Sequence, residues 1–71
     1  GFNFNDSSGN RVAHNVARAN GTNGFFAFFG SERNLFTRNC ARGNRGLDAY
    51  DTSTGSGNSW IGNSFGTTSG I

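Results

Sequence analysis

The feature that most constrains the fold of this chain is asparagine repeated at an interval of 24 residues. Within one repeat, asparagine also recurs every five residues with one apolar residue between, a spacing that does not fit one face of an α-helix. A fixed interval of this length is typical of repeat architectures, in which equivalent residues of successive repeats lie beside one another. Two complete columns and one partial column keep the interval: Asn10, Asn34 and Asn58; Asn15, Asn39 and Asn63; Asn20 and Asn44.

The same interval predicts short strands separated by corners. Asparagine and glycine adopt left-handed backbone at lower cost than other residues, so they suit the corners. The chain has 12 glycines and 11 asparagines but few strong helix formers, and we therefore expect almost no helix. Three short strands and three corners in each repeat predict parallel strands that stack at about 4.8 Å, the ordinary spacing between neighbouring strands.

A second repeated block consists of glycine followed by apolar residues, as in Gly24-Phe25-Phe26-Ala27. This block and the motif N-x-V-x-x-N-x-A-x-x-N at residues 10–20 resemble the right-handed parallel β-helix repeat family, the pectin-lyase-like and NosD-like coils. The resemblance implies an all-β chain folded as a right-handed parallel β-helix, a solenoid of about three coils with about 24 residues per coil. That family includes polysaccharide lyases, hydrolases, epimerases, tailspikes and adhesins, so the resemblance implies a fold rather than one activity.

The length of 71 residues is that of one small unit. We expect residues 1–71 to form a single β-helix segment, either part of a longer solenoid or a self-stacking unit. Because the sequence begins with glycine, we expect the chain to be cut from a precursor or taken from inside a longer protein. No apolar run approaches the ~20 residues of a membrane-spanning helix. The net charge of +2 is too small and too dispersed to predict nucleic-acid binding.

The interior of such a coil requires apolar residues, because neighbouring coils cover it above and below. Burial of one Phe or Leu contributes ~1.5–3 kcal/mol, so the inward columns are expected to supply most of the folding energy. Stacked asparagines are expected to form a hydrogen-bonded ladder, since a primary amide both donates and accepts. The predicted inward columns are Val12, Phe36 and Trp60; Ala17, Ala41 and Phe65; and Phe2, Phe25, Leu47 and Ile71, with Phe4, Ala27 and Ala49 beside the last.

The outward residues of the glycine block predict a carbohydrate-binding surface. If Phe25 and Ala27 point inward, Phe26 and Phe28 point outward, with Asp48 and Tyr50 one coil on and Asn3 and Asn5 one coil back. Exposed aromatic rings next to acids suit stacking against sugar rings and acceptance of hydrogen bonds from hydroxyl groups. The alternative is packing of the same rings under a loop, such as residues 51–59, or against another chain. The carbohydrate-binding candidates are Phe26, Phe28, Asp48, Tyr50 and Asp51.

A stripe of basic side chains lies on the asparagine-rich side of the predicted coils. Guanidinium groups match the oxygen atoms of uronic acids, sulfates and phosphates, so this stripe predicts anion binding. A solvated arginine face is the alternative. The anion-binding candidates are His14, Arg18, Arg38 and Arg42.

Catalytic chemistry is not predicted for this segment. The chain has one His and one Cys, and the repeat places His14 beside Arg38 and Cys40 beside Val16, which is near but not adjacent. A metal site normally needs more ligands than this pair, and we predict neither a metal nor a cofactor. If the segment belongs to an enzyme, the resemblance implies a polysaccharide lyase, hydrolase or epimerase.

Two classes of function follow from these patterns. The first is an extracellular or surface β-helix module that binds polysaccharide and is not catalytic on its own. The alternative is a structural, self-assembling solenoid such as a fibre, adhesin or tailspike-like segment, with no small ligand. Its partners would be neighbouring coils of the same or an identical chain, and neither nucleic acid nor a membrane span is expected.

Overall fold

The structure is a computed structural model and describes residues 1–52 and 57–71. Over these residues the chain is all-β and contains no helix, which confirms the expectation from composition. The strands are two to four residues long. They are β1 (Phe2–Asn5), β2 (Arg11–Ala13), β3 (Val16–Arg18), β4 (Phe25–Phe28), β5 (Leu35–Thr37), β6 (Cys40–Arg42), β7 (Ala49–Asp51), β8 (Ser59–Ile61), β9 (Ser64–Phe65) and β10 (Thr68–Ser69).

The strands form three parallel sheets. The first sheet has the order β1-β4-β7-β10, the second β2-β5-β8 and the third β3-β6-β9. The chain therefore visits the first, second and third sheets in turn and then returns to the first. We call each such traverse a pass, and strands of successive passes are hydrogen-bonded neighbours.

Strand pairing in the second and third sheets follows the asparagine interval. Phe36 lies opposite Val12 in the preceding pass and Trp60 in the following pass. Ala41 lies in the same way between Ala17 and Phe65. Val12, Ala17, Phe36 and Ala41 are buried, and Trp60 and Phe65 are partly buried against them. These two predicted inward columns are confirmed.

The predicted third column is wrong from the third pass onward. Phe2 lies opposite Phe25 as expected, but Phe25 then lies opposite Ala49 rather than Leu47. Leu47 precedes β7 and is half-buried, and Ile71 is 49% exposed after the end of β10. The reason is that Ala49 keeps the 24-residue interval from Phe25, whereas the glycine blocks suggested a shorter step.

The corners consist of a left-handed residue followed by a ladder asparagine. The residue before each ladder asparagine has positive φ, as in Arg38 (53°) before Asn39 and Ala19 (52°) before Asn20. The asparagines themselves do not appear among the residues with positive φ. Asparagine was expected to suit the left-handed backbone itself; in the structure it follows that position. The left-handed residues that precede ladder asparagines form three columns: Gly9, Arg33 and Gly57; His14, Arg38 and Gly62; Ala19 and Gly43.

Glycine substitutions at one corner column test this backbone geometry. Ala19 (φ 52°) and Gly43 (φ 67°) occupy equivalent corners, and a Cβ added at Gly43 meets no atom within 4 Å. Left-handed backbone is unfavourable for a residue with a Cβ, so Ala19→Gly should raise the free energy of unfolding and Gly43→Ala should lower it, each by about 1 kcal/mol. Chemical denaturation measures both shifts, with Gly21→Ala as the control because Gly21 lacks positive φ. Shifts of the same sign would contradict the geometry.

The asparagine columns are continuous chains of hydrogen bonds. Oδ1 of Asn39 accepts from the backbone N of Asn15 at 3.0 Å and from its Nδ2 at 3.2 Å. Nδ2 of Asn39 donates to the Val12 carbonyl at 2.8 Å and to Oδ1 of Asn63 at 3.0 Å. Among the described residues, no buried side-chain nitrogen or oxygen lacks a hydrogen-bond partner. The polar side chains inside the fold are therefore satisfied, which offsets the cost of burying them.

Candidate functional site

An aromatic patch lies on the outer face of the first sheet, formed by Phe26, Phe28, Phe29 and Tyr50. Strand β4 alternates between buried residues and the half-buried Phe26 and Phe28, and Tyr50 lies opposite Phe26 in β7. The ring centroids of Phe26 and Phe28 are 4.4 Å apart, and those of Phe26 and Tyr50 are 5.1 Å apart with planes at 9°. Phe29 is 72% exposed and lies 5.1 Å from Phe28. The sequence analysis did not include Phe29. This residue follows the end of β4, so the alternation of inward and outward residues within the strand does not predict its position.

Neutral polar side chains border the aromatic patch. Asn3 lies opposite Phe26 and Asn5 opposite Phe28, and both asparagines are exposed. On the other side, the exposed Ser69 lies opposite Tyr50. Amide and hydroxyl groups can both donate and accept hydrogen bonds. This face therefore combines apolar rings with uncharged hydrogen-bonding groups.

The rings of the aromatic patch differ in how much neighbouring rings cover them. Phe26 is nearly parallel to two rings, with interplanar angles of 20° to Phe28 and 9° to Tyr50. The neighbour of Tyr50 in the next pass is the small Ser69. Tyr50 and Phe29 are therefore the rings best placed to contact a ligand.

Asp48 does not lie on this face, and its expected position beside Phe26 is wrong. It is 3% exposed. Its Oδ1 accepts from the backbone N of Asn44 at 3.2 Å and from Nδ2 of Asn44 at 2.7 Å. Its Oδ2 accepts from the backbone N of Gly66 and of Thr67, both at 3.0 Å. Asp48 thus occupies the position after Asn44 in the third asparagine column. The 24-residue interval did not predict this position, because Asp48 follows Asn44 by only four residues.

The hydrogen bonds of Asp48 predict a stability that depends on pH. Burial alone would raise its pKa, but the bonds from the Asn44 side chain and from the backbone of Asn44, Thr67 and Gly66 outweigh burial and lower the pKa below 3.8. Because the pKa is lower in the folded state, this stabilisation is present above the ordinary value and is lost as the pH falls through the folded pKa.

We expect the free energy of unfolding to decrease as the pH is lowered below 3.8. The variant Asp48→Asn should lose this part of the pH dependence and should be less stable at neutral pH, since its NH₂ group would face the amides of Gly66 and Thr67 or of Asn44. Denaturation of both proteins at several pH values measures the effect, and Asp6→Asn, at an exposed position, is the control. Identical pH profiles for the chain and Asp48→Asn would contradict the assignment.

Asp51 also lies away from the aromatic patch. It is half-buried and lies opposite the inward-facing Ala27. Its Oδ2 accepts from Nε1 of Trp60 at 2.9 Å and from Nδ2 of Asn58 at 3.0 Å. The structure therefore brings Phe26, Phe28 and Tyr50 together and separates both acids from them. The predicted position of the loop 51–59 over this face depends on residues 53–56, which lie outside the described residues.

A basic groove of about 400 Å³ lies on the outer face of the second sheet. It is lined by the predicted anion-binding residues His14 and Arg38, which occupy equivalent left-handed corners of successive passes. It also contains Arg11, which sequence reasoning missed because Arg11 lies in strand β2 and not in the corner column. The outward alternation around the buried Val12 was the available signal. The groove is lined by Arg11, His14, Leu35, Thr37, Arg38, Ile61 and Gly62.

The other two predicted anion-binding residues lie on the third sheet. Arg18 lies directly opposite Arg42, and both are exposed. Nη2 of Arg42 donates to Oγ of Ser64 at 2.9 Å. Cys40 lies opposite Val16 on the same sheet, as the repeat predicted. The predicted basic stripe is thus divided between two sheets.

Among residues 1–52 and 57–71, no three His, Cys, Asp or Glu residues are close enough together to hold a metal ion. In the part of the chain that the structure describes, no helix is long and apolar enough to traverse a bilayer.

Comparison with known proteins found no matching family model, no matching curated protein and no matching solved structure. The function of the chain is therefore inferred from the geometry of the aromatic patch and the basic groove.

Proposed function

We propose that this chain is a segment of a right-handed parallel β-helix that binds polysaccharide through the aromatic patch and does not itself catalyse a reaction. The constant order of the three parallel sheets and the 24-residue register support the β-helix. Right-handed connection between parallel strands is the strong general preference, which supports the handedness. A protein that binds polysaccharide would act at the cell surface or outside the cell.

The observation that carries the proposal is the set of aromatic rings bordered by Asn3, Asn5 and Ser69. The C–H face of a sugar ring packs against an aromatic ring, while its hydroxyl groups exchange hydrogen bonds with amides and hydroxyls. The register positions that border Phe26, Phe28 and Tyr50 carry no charged side chain among the described residues. This favours neutral sugar units at the aromatic patch.

Binding to a panel of neutral and acidic polysaccharides tests the proposal, by affinity electrophoresis and calorimetry. We expect Tyr50→Ala and Phe29→Ala each to weaken binding of a neutral polysaccharide by about three- to tenfold. Val16→Ala is the control, because Val16 is 58% exposed and lies on the third sheet. Absence of binding at millimolar sugar, or equal affinity of all three variants, would overturn the proposal.

Incomplete burial in the last pass favours a second function, as a structural module. Trp60 and Phe65 are only half-buried, whereas Phe36 and Ala41 in the preceding pass are fully buried. The asparagine bonds also run in one direction, from Asn15 to Asn39 to Asn63. A further pass, from the same or an identical chain, would cover the half-buried rings and offer acceptors to Asn63.

Sedimentation velocity of the 71-residue chain over a range of concentrations tests stacking between identical chains. Stacking predicts a sedimentation coefficient that rises with concentration, and electron microscopy would then show rods. A monomer that persists at all concentrations would exclude stacking of this chain on itself. Neither outcome affects the polysaccharide test, because the aromatic patch lies on the outer face of the first sheet, whereas a stacked chain would bind at the end of the last pass.

A further inference from the structure

We propose that the basic groove is a second binding site, which takes an acidic sugar unit and holds its carboxylate or sulfate group between Arg11 and Arg38. The groove lies on the second sheet and the aromatic patch on the first. The basic groove is therefore separate from the site of the proposed function and takes a ligand of different charge.

The repeat positions the basic side chains around one cavity. Val12 and Phe36 point inward from β2 and β5, so the neighbouring Arg11 and Leu35, which lie opposite one another, point outward. Arg38 occupies the corner that follows β5. The volume of about 400 Å³ falls within the range of small-ligand sites.

The corner column leaves open space at one end of the groove. His14 and Arg38 occupy its first two positions, and Gly62 occupies the third. A Cβ added at Gly62 would meet no atom within 4 Å. A ligand beside Arg38 therefore has room on the side of the following pass.

The positive charges of the groove have no partner in the described part of the chain. Within residues 1–52 and 57–71, the side chains of Arg11, His14 and Arg38 make no hydrogen bond or ion pair, whereas Arg33 pairs with Glu32 at 3.3 Å. None of the residues that line the groove is acidic. A guanidinium group presents a planar set of donors that matches a carboxylate or sulfate in two parallel hydrogen bonds. The groove is therefore electrostatically complementary to such a group.

The remaining lining residues favour an anion that is part of a sugar over a free inorganic ion. Leu35 is half-buried and Ile61 is 61% exposed, so both offer apolar surface to the C–H face of a ring. Thr37 supplies a hydroxyl group that can bond to a sugar hydroxyl. A free ion would leave the apolar surface uncovered.

The first test compares charge variants of the groove with a matched variant outside it. We expect Arg11→Gln and Arg38→Gln each to weaken binding of an acidic oligosaccharide by about tenfold, since a hydrogen bond to a charged group is lost. Arg18→Gln removes the same charge from the third sheet and should leave affinity within about twofold. Unfolding midpoints of the three variants check that each is folded. An equal loss in Arg18→Gln would show that net charge alone attracts the ligand and would overturn the site.

The ligands of this test are an oligogalacturonate, a sulfated dextran oligosaccharide, a neutral dextran oligosaccharide and inorganic sulfate. Preference for the first or the second identifies the acidic group as carboxylate or sulfate. Inorganic sulfate that binds as tightly as both acidic oligosaccharides would contradict the role of Leu35 and Ile61. Tyr50→Ala should leave the affinity for the acidic oligosaccharides unchanged. If Tyr50→Ala weakened this binding and Arg38→Gln did not, the ligand would bind the aromatic patch instead of the basic groove.

Amide chemical shifts of the unmodified chain provide a second test that does not depend on variants. Titration with the preferred acidic oligosaccharide should shift the amides of residues 35–38 and 59–62 before those of β4 and β7. Largest shifts in the first sheet would overturn the groove as the site. The failure of neutral sugars to bind the aromatic patch would overturn only the proposed function.

Discussion

Replacement of Asn39 by alanine is expected to lower the free energy of unfolding by about 2–4 kcal/mol, because buried polar groups would lose their partners. Asn39 is 1% exposed. Its Oδ1 accepts two bonds from Asn15, and its Nδ2 donates to the buried carbonyl of Val12. In a small domain whose core supplies ~3–5 kcal/mol, this loss would remove most of the stability. Thermal and chemical denaturation measure it.

The matched control for Asn39→Ala is Asn15→Ala in the preceding pass. The Asn15 side chain donates to Asn39, but no hydrogen bond to its Oδ1 is found among the described residues. Its removal should therefore cost about 1 kcal/mol, the ordinary net contribution of one hydrogen bond. Asn3→Ala, at an exposed position outside the columns, provides the baseline. Equal shifts for Asn39→Ala and Asn15→Ala would show that the column does not stabilise the fold cooperatively.

Replacement of Phe36 by alanine should cost about 3–5 kcal/mol, the range for removal of a buried aromatic side chain. Phe36 is fully buried, and its ring stacks on that of Trp60 with a centroid distance of 3.7 Å and planes at 3°. The ring of Phe4 packs against it in a T-shaped arrangement, with a centroid distance of 5.0 Å and planes at 89°. Passes on both sides hold these neighbours in place, so the cavity left by Phe36 cannot close completely.

The fluorescence of Trp60 gives a second readout for this variant, since the chain has one tryptophan. Loss of the stacked ring should shift its emission in the folded state as well as lower the unfolding midpoint. Phe29→Ala is the control, because Phe29 is 72% exposed and a surface substitution should change stability by less than about 0.5 kcal/mol. Unchanged emission together with wild-type stability in Phe36→Ala would contradict the packing.

The two residues with the largest expected effects both belong to the middle pass. Asn39 is bonded on both sides by Asn15 and Asn63, and Phe36 lies between Val12 and Trp60. In the second and third sheets, a residue of the middle pass has a hydrogen-bonded neighbour strand in each direction, whereas residues of the two outer passes have one.

The sequence by itself determined the all-β composition, the 24-residue register of the second and third sheets and the outward position of Phe26 and Phe28. These properties are visible in the sequence because each pass repeats the same local pattern. A residue and its counterpart 24 positions later then occupy equivalent places. Strand alternation assigns the two sides of each strand in the same local way.

Only the tertiary structure decided the burial of Asp48 and the presence of Arg11 and Arg38 in one groove. Asp48 looks like an exposed acid in the sequence, but its carboxylate accepts from Gly66 and Thr67 in the next pass. Such positions depend on hydrogen bonds and packing between residues that are distant along the chain and keep no fixed interval. A repeat interval specifies which residues are equivalent, whereas contacts between unlike residues arise only when the chain has folded.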